Sequence, residues 1–243
     1  MSGQWLSTPP MWRCFVWGFV FAVASTAFLP SAPGVAWGQE VRPGSESARG
    51  RVRGCPSVSE RKVELGCYTL AESNLGELPD VPLYWLLDNY STRAAAEAAR
   101  GPHGTVVESL GKIWLLTIAE GSFKAPGGER VARIGPLLLD HGGKFTAVYM
   151  EAIMLPGART PAHRHPGPEA WFQAAGEVCL ETPDGRSVGR VGGNPVIVPG
   201  NTPMALMVTG HEQRRSIVLV LHDSSRPWSI LAPDWKPKGL CQK

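Results

Sequence analysis

GARTPAHRHPGPEAWFQAAG, residues 157–176, is the stretch that decides how this chain folds and what it binds. His163 and His165 are two apart, so on an extended strand they point to the same face. Pro161 and Pro166 favour that extension, because the residue before a proline is pushed out of the helical region; here these are Thr160 and His165. Pro166-Gly167-Pro168 reads as a turn. Glu169 opens the next apolar run, EAWFQAA, and on a neighbouring strand it comes level with the two imidazoles. Two neutral nitrogens and one carboxylate on one face of an ion form the facial triad of non-haem Fe(II) sites, and the same set suits Mn, Ni or Zn.

Period two extends the reading along the second strand. Trp171 and Gln173 share the face of Glu169, whereas Ala170, Phe172 and Ala174 face the other way, beneath the N-terminal region. An indole and an amide beside a metal suit a small, polar or partly aromatic ligand. The alternative is that Trp171 only fills the interior, as side chains do in small barrels.

Gly157, five residues, His163-x-His165, three residues, Glu169, six residues and Gly176 resemble the first signature motif of the cupin superfamily. The resemblance spans residues 144 to 222 and implies a mainly β fold, a cupin-type jelly-roll β-barrel with the metal inside. The family's later P-x-G-x-x-H motif aligns with Pro199-Gly200-Asn201-Thr202-Pro203-Met204. Asn201 takes the glycine position and tolerates the left-handed conformation that the turn needs. Met204 takes the histidine position, where the family supplies a fourth ligand. A thioether is a soft, weak donor, so three ligands carry over (His163, His165, Glu169), around one divalent ion. Fe or Mn is favoured and Zn or Ni admissible; Met204 becomes an apolar wall of the pocket with Trp171 and Gln173, and as a ligand it would point to copper.

Outside the motif the chain reads as short strands between Gly and Pro turns. Lys144 to Leu155 puts Tyr149 and Glu151 on one face and Val148, Met150, Ala152 and Met154 on the other. Ile217 to Leu221 is apolar on both faces, which predicts a central, covered strand. Hairpins are expected at Gly111 and at Asp184-Gly185. Upstream, Val81 to Tyr90 reads as a strand and Thr92 to Arg100 as a short helix capped by Ser91 and ended by Gly101. The expected organisation is a signal peptide over 1–38, a flexible leader over 39–62, an N-terminal α+β extension over 63–127, the cupin barrel over 128–225 and a C-terminal tail over 226–243.

The signal rests on Arg13, the uncharged run Cys14 to Leu29, and small residues at Ala36 and Gly38 before a cut at Gln39. Cleavage after Ala27 and an uncleaved membrane anchor are the alternatives, the run being shorter than the ~20 residues of a span. The formal net charge of +3 falls by one on losing Arg13. So small a charge, with no basic stripe, argues against nucleic acid and a membrane surface as partners. Cys55, Cys67, Cys179 and Cys241 remain, and an exported chain would join them as two disulfides in one of three connectivities. Cys55 with Cys67 and Cys179 with Cys241 gives the most local loops; a free buried thiol is the alternative for Cys179. His103, His141, His211 and His222 lie in loops or at a strand end without ligand-like neighbours. No nucleophile elbow, phosphate-binding loop or heptad is found.

Two functions follow. The first is an exported metal-binding cupin acting as a non-haem oxygenase or isomerase on a small molecule, with a homodimer compatible. The second is a metal-free binding or sensing cupin, favoured by the shortage of acid–base groups beyond the ligands; Glu151 is the one other carboxylate near the barrel.

Overall fold

The computed structural model describes residues 54–140 and 142–242. The expected signal peptide, most of the leader and His141 lie outside the described residues. The strands are β1 (Gly66–Glu77), β2 (Leu83–Tyr90), β3 (Gly104–Ser109), β4 (Lys112–Glu120), β5 (Glu129–Ile134), β6 (Lys144–Met154), β7 (His163–Arg164), β8 (Glu169–Ala175), β9 (Glu177–Thr182), β10 (Gly185–Arg190), β11 (Val196–Val198), β12 (Ala205–Thr209), β13 (Arg214–Asp223) and β14 (Ile230–Leu231). One helix, α1 (Arg93–Ala99), lies between β2 and β3, and short 3-10 turns occupy Val58–Glu60 and Leu240–Gln242.

The fold is mainly β and of jelly-roll type. A five-stranded sheet, β1-β6-β13-β8-β11, stands in the middle. One of its faces meets the three-stranded sheet β10-β9-β12, the other the four-stranded sheet β3-β4-β2-β5. The expected barrel takes the form of facing sheets that are not closed by hydrogen bonds into a ring. The strand β13 pairs with β6 on one side and β8 on the other, which explains its apolar character on both faces. Ile217, Leu219 and Leu221 enter the core shared with the four-stranded sheet; Val218 and Val220 enter the jelly-roll interior. The same alternation in β8 sends Ala170 and Phe172 outward, where Phe172 meets Trp114 edge-on at 5.4 Å between ring centroids. Such a pair adds about 0.5–1.5 kcal/mol beyond the area it buries.

The extension and the jelly roll are interleaved. Strand β1, from the upstream segment, pairs with β6 along the edge of the central sheet, with register shifts at Thr69/Ala71 and Asn74/Gly76. Strand β5, from the segment expected to be barrel, pairs instead with β2. The hairpins form where expected: Leu110 and Gly111, at φ 53° and 72°, link β3 to β4, and β9 pairs with β10 across Pro183-Asp184. The α1 cap is Thr92 rather than Ser91, because the Thr92 hydroxyl accepts from the Ala95 amide three residues on. Both disulfides close as Cys55–Cys67 and Cys179–Cys241. Among the described residues no helix is long and apolar enough to cross a membrane.

The C-terminal tail is a strap. Strand β14 pairs with β7, the Ala232 amide donates to the Ala162 carbonyl at 3.0 Å, and Arg164 pairs with Asp234 at 2.6 Å. Further on, the buried Glu181 carboxylate accepts the Lys238 and Leu240 amides, next to the bridge from Cys179 to Cys241.

Candidate metal centre

The segment 157–165 lies between β12 and the strap. His163 and Met204 exchange backbone hydrogen bonds at 3.0 and 2.8 Å, so the residue in the family's fourth-ligand position sits directly across from the first histidine. Met204 is buried in the interior cluster. Asn201 has φ 62° and its amide donates to the His165 carbonyl at 2.6 Å, so the left-handed turn expected there closes against the second histidine. Gly167 in the proline turn runs so close to the Leu221 carbonyl that a Cβ would collide with backbone. That approach delivers the chain from the histidines into β8.

His163, His165 and Glu169 converge. Their ligand atoms lie within 4.8 Å of one another, and all three residues are buried. The His163 Nδ1 meets the Pro161 carbonyl at 2.9 Å and the His165 Nδ1 meets the Trp228 carbonyl at 2.6 Å. A carbonyl only accepts, so each Nδ1 carries the proton and each Nε2 keeps a free lone pair, the arrangement found behind metal-bound imidazoles. The His165 Nε2 and the Glu169 Oε2 are 3.6 Å apart, and neither has a hydrogen-bond partner although both are buried. Donors about 2.1 Å from one ion lie about 3.0–3.4 Å from each other, so the spacing and the orphaned atoms fit an ion between them. Burial pushes the His165 imidazole below its ordinary value against the opposing pull of Glu169, which favours the neutral ring a metal requires.

The side-chain facing along β8 follows period two. Trp171 and Gln173 are buried on the inward face of β8. The Gln173 Nε2 donates to the Ala175 carbonyl at 2.6 Å, and its Oε1 and the Trp171 Nε1 have no partner. Glu151 belongs to the opposite face: it accepts from Ser109 Oγ at 2.7 Å and from the Leu110 amide at 2.9 Å, and pairs with Arg61. It is therefore a latch between sheets and not an acid–base group of the interior. His222 is inward-facing but its Nδ1 is engaged by the Asp223 carbonyl at 2.7 Å, outside the cluster of three.

Two site residues escaped the sequence reading. Trp228, from the strap, stacks on His165 with ring centroids 5.7 Å apart and planes inclined by 4°. Arg214, the first residue of β13, is buried with its guanidinium 5.1 Å from the Trp171 ring centroid. Period two counted back from Val218 would have turned Arg214 inward; nothing local signals the contact made by Trp228.

Together these define a jelly roll with a buried two-histidine, one-glutamate centre. No protein-family model and no curated protein matches the chain. Similar solved structures include a cupin-like protein of Thermotoga maritima, with 16% identity and a TM-score of 0.32 over 37% of this chain and 77% of that one. A cupin 2 domain-containing protein of Halorhodospira halophila is 20% identical, with a TM-score of 0.30 over 37% of this chain and 59% of that one. The DMSP lyase DddQ of Ruegeria pomeroyi is 25% identical, with a TM-score of 0.29; the match covers 38% of this chain and 45% of the lyase.

Proposed function

We infer that the chain is an exported, metal-binding cupin whose centre of His163, His165 and Glu169 acts as a non-haem metal enzyme, of oxygenase or isomerase type, on a small molecule. The observation that carries this reading is the pair of buried, partnerless atoms His165 Nε2 and Glu169 Oε2 facing each other at 3.6 Å. Buried polar atoms are left without partners only at a cost, and a divalent ion satisfies both at once. Such an ion, when bound, supplies Lewis acidity to polarise a substrate oxygen. The chain's own residues hold both imidazoles in one tautomer through Pro161 and Trp228, exclude water with Met204 and Trp228, and offer Trp171 and Gln173 to orient the ligand. The two disulfides support export, since such bonds persist in oxidising compartments.

A metal-free binding cupin is the second reading, and Met204 in place of a fourth ligand favours it. Elemental analysis of protein purified without chelator separates the two. About one Fe or Mn per chain, abolished by His163→Ala with the fold retained, is the expected result. Metal-free protein after reconstitution, or unchanged uptake by the variant, overturns the enzyme reading.

A further inference from the structure

Arg214 is the only lysine or arginine that is buried among the described residues. Its Nη1 meets nothing better than the Met154 thioether at 3.9 Å, and its Nε has no partner. A guanidinium is taken out of water only at a large cost unless an anion compensates it. Glu169 is the nearest protein anion acting on it, at a range that makes no ion pair, and its carboxylate already belongs to the metal centre.

The groups around Arg214 point the same way. Ser216 is fully buried, lies across from Gln173 on the pairing of β13 with β8, and its Oγ has no partner. The Trp171 indole N–H, on the ring under the guanidinium, is also unmatched. Three donors (an Nε–H, an indole N–H and a hydroxyl) thus stand unsatisfied on the inward faces of two adjacent strands, where Ser216 and Arg214 follow Trp171 in the strand register on the far side from Glu169. The unmatched Gln173 Oε1, across from Ser216, is the acceptor beside them, but a neutral amide oxygen does not balance a buried positive charge; donors in excess around that charge describe a receptor for an oxyanion, and the planar fork of arginine matches a carboxylate.

We propose that Arg214, Trp171 and Ser216 form a carboxylate-binding subsite inside the jelly roll, so that the small molecule taken by this protein is a carboxylic acid anchored there with its other end toward His163, His165 and Glu169. The direction toward the metal rests on the function proposed above; the carboxylate subsite does not. Arg214 is a binding residue whose charge is neutralised by the ligand, and the apoprotein bears the cost of keeping it buried.

The test uses the full purified protein, with its metal content measured on each sample. Acetate, benzoate, succinate and glutarate are titrated by calorimetry beside acetamide, benzamide, succinamide and glutaramide. At least one acid is expected to bind about tenfold or more tighter than its amide, as a charge-assisted pair requires. Arg214→Met should lose that preference with its metal content unchanged and its melting temperature equal to or above that of the parent, because an unpaired charge has been replaced by an apolar chain of similar length. Arg214→Lys should keep part of the preference. Amides binding as well as acids, no saturable binding of any acid, acid binding unaltered in Arg214→Met, or a lowered melting temperature in that variant would each overturn the subsite. Metal-free parent protein after reconstitution, or metal uptake unchanged in His163→Ala, with the acid preference intact would fault the metal reading and leave the subsite standing.

Discussion

Removing the Cys179–Cys241 bridge separates what the strap does for stability from what it does for the metal centre. The bridge spans 62 residues and the other, Cys55–Cys67, spans 12. Cross-links restrict the unfolded chain, and on the loop-entropy model a 62-residue closure gives about 4.3 kcal/mol and a 12-residue closure about 2.8 kcal/mol. Cys179→Ser/Cys241→Ser should therefore lower the urea-unfolding free energy by about 1.5 kcal/mol more than Cys55→Ser/Cys67→Ser. In the native state the strap stays docked by the pairing of β14 with β7, the two amides on Glu181 and the Arg164–Asp234 pair. The Trp228 carbonyl consequently keeps its hold on His165, and metal affinity, measured by competition with a chelator, should change by less than about threefold. Amide exchange at Lys238 and Leu240 should quicken, reporting local opening. Metal affinity falling in step with stability would refute the reasoning, since it would mean that the bridge, rather than the hydrogen bonds, positions the imidazole. Equal losses from the two bridges would refute its entropic part.

Three further perturbations probe the scaffold of the site. Gly167→Ala drives a methyl into the Leu221 carbonyl and should cost about 1–3 kcal/mol in thermal or urea unfolding while weakening metal uptake, because the turn delivers Glu169. Asn201→Gly should be nearly neutral in the same assay, whereas Asn201→Val should cost about 1–2 kcal/mol at its φ of 62°. Burial alone would raise the Glu151 carboxyl, yet the hydrogen bonds from Ser109 and Leu110 and the Arg61 guanidinium hold it below its ordinary value. Its contribution is thus complete above the unfolded value of about 4.3 and lost as pH falls through the lower folded value, so Glu151→Gln should destabilise by about 1–3 kcal/mol at neutral pH and differ progressively less from the parent in acid.

The legible parts of this fold are those written in local periodicity. A two-residue repeat from Glu169 to Gln173 places three side chains inward, and the apolar run Ile217–Leu221 reports its two covered faces. Proline and glycine around His163 and His165 specify the extended segment and its turn. Strand β1 was not legible, because its two register shifts break the alternation. Nor was the exchange of β1 and β5 between sheets, which local pattern does not encode. Trp228 reaches His165 through a strap anchored residues away at Glu181 and Cys179, a purely tertiary arrangement. The facing of Glu151, left open by the sequence, is fixed by its partners Arg61, Ser109 and Leu110 on the far side of the central sheet.

Unmatched buried polar atoms occur elsewhere in the molecule, at Trp85 Nε1 and Thr117 Oγ1 for example, and these neutral groups each cost only about 1–3 kcal/mol. A buried guanidinium without an ion-pair partner is costlier, and burial with Glu169 partly opposing it draws even this strongest of bases down to about 10. Packing does not require the charge, since an apolar side chain would complete the cluster of Val218, Trp171 and Met154 at least as well. Structural latches in this protein look different: Glu151 and Glu181 are buried carboxylates with their donors in place. Arg214 has no oxygen acceptor in place, only the Met154 thioether, and it shares the jelly-roll interior with the partnerless His165 Nε2 and Glu169 Oε2. A charge uncompensated by the protein on one stretch of the interior, and the candidate metal centre on another, suit the anionic small molecule proposed above.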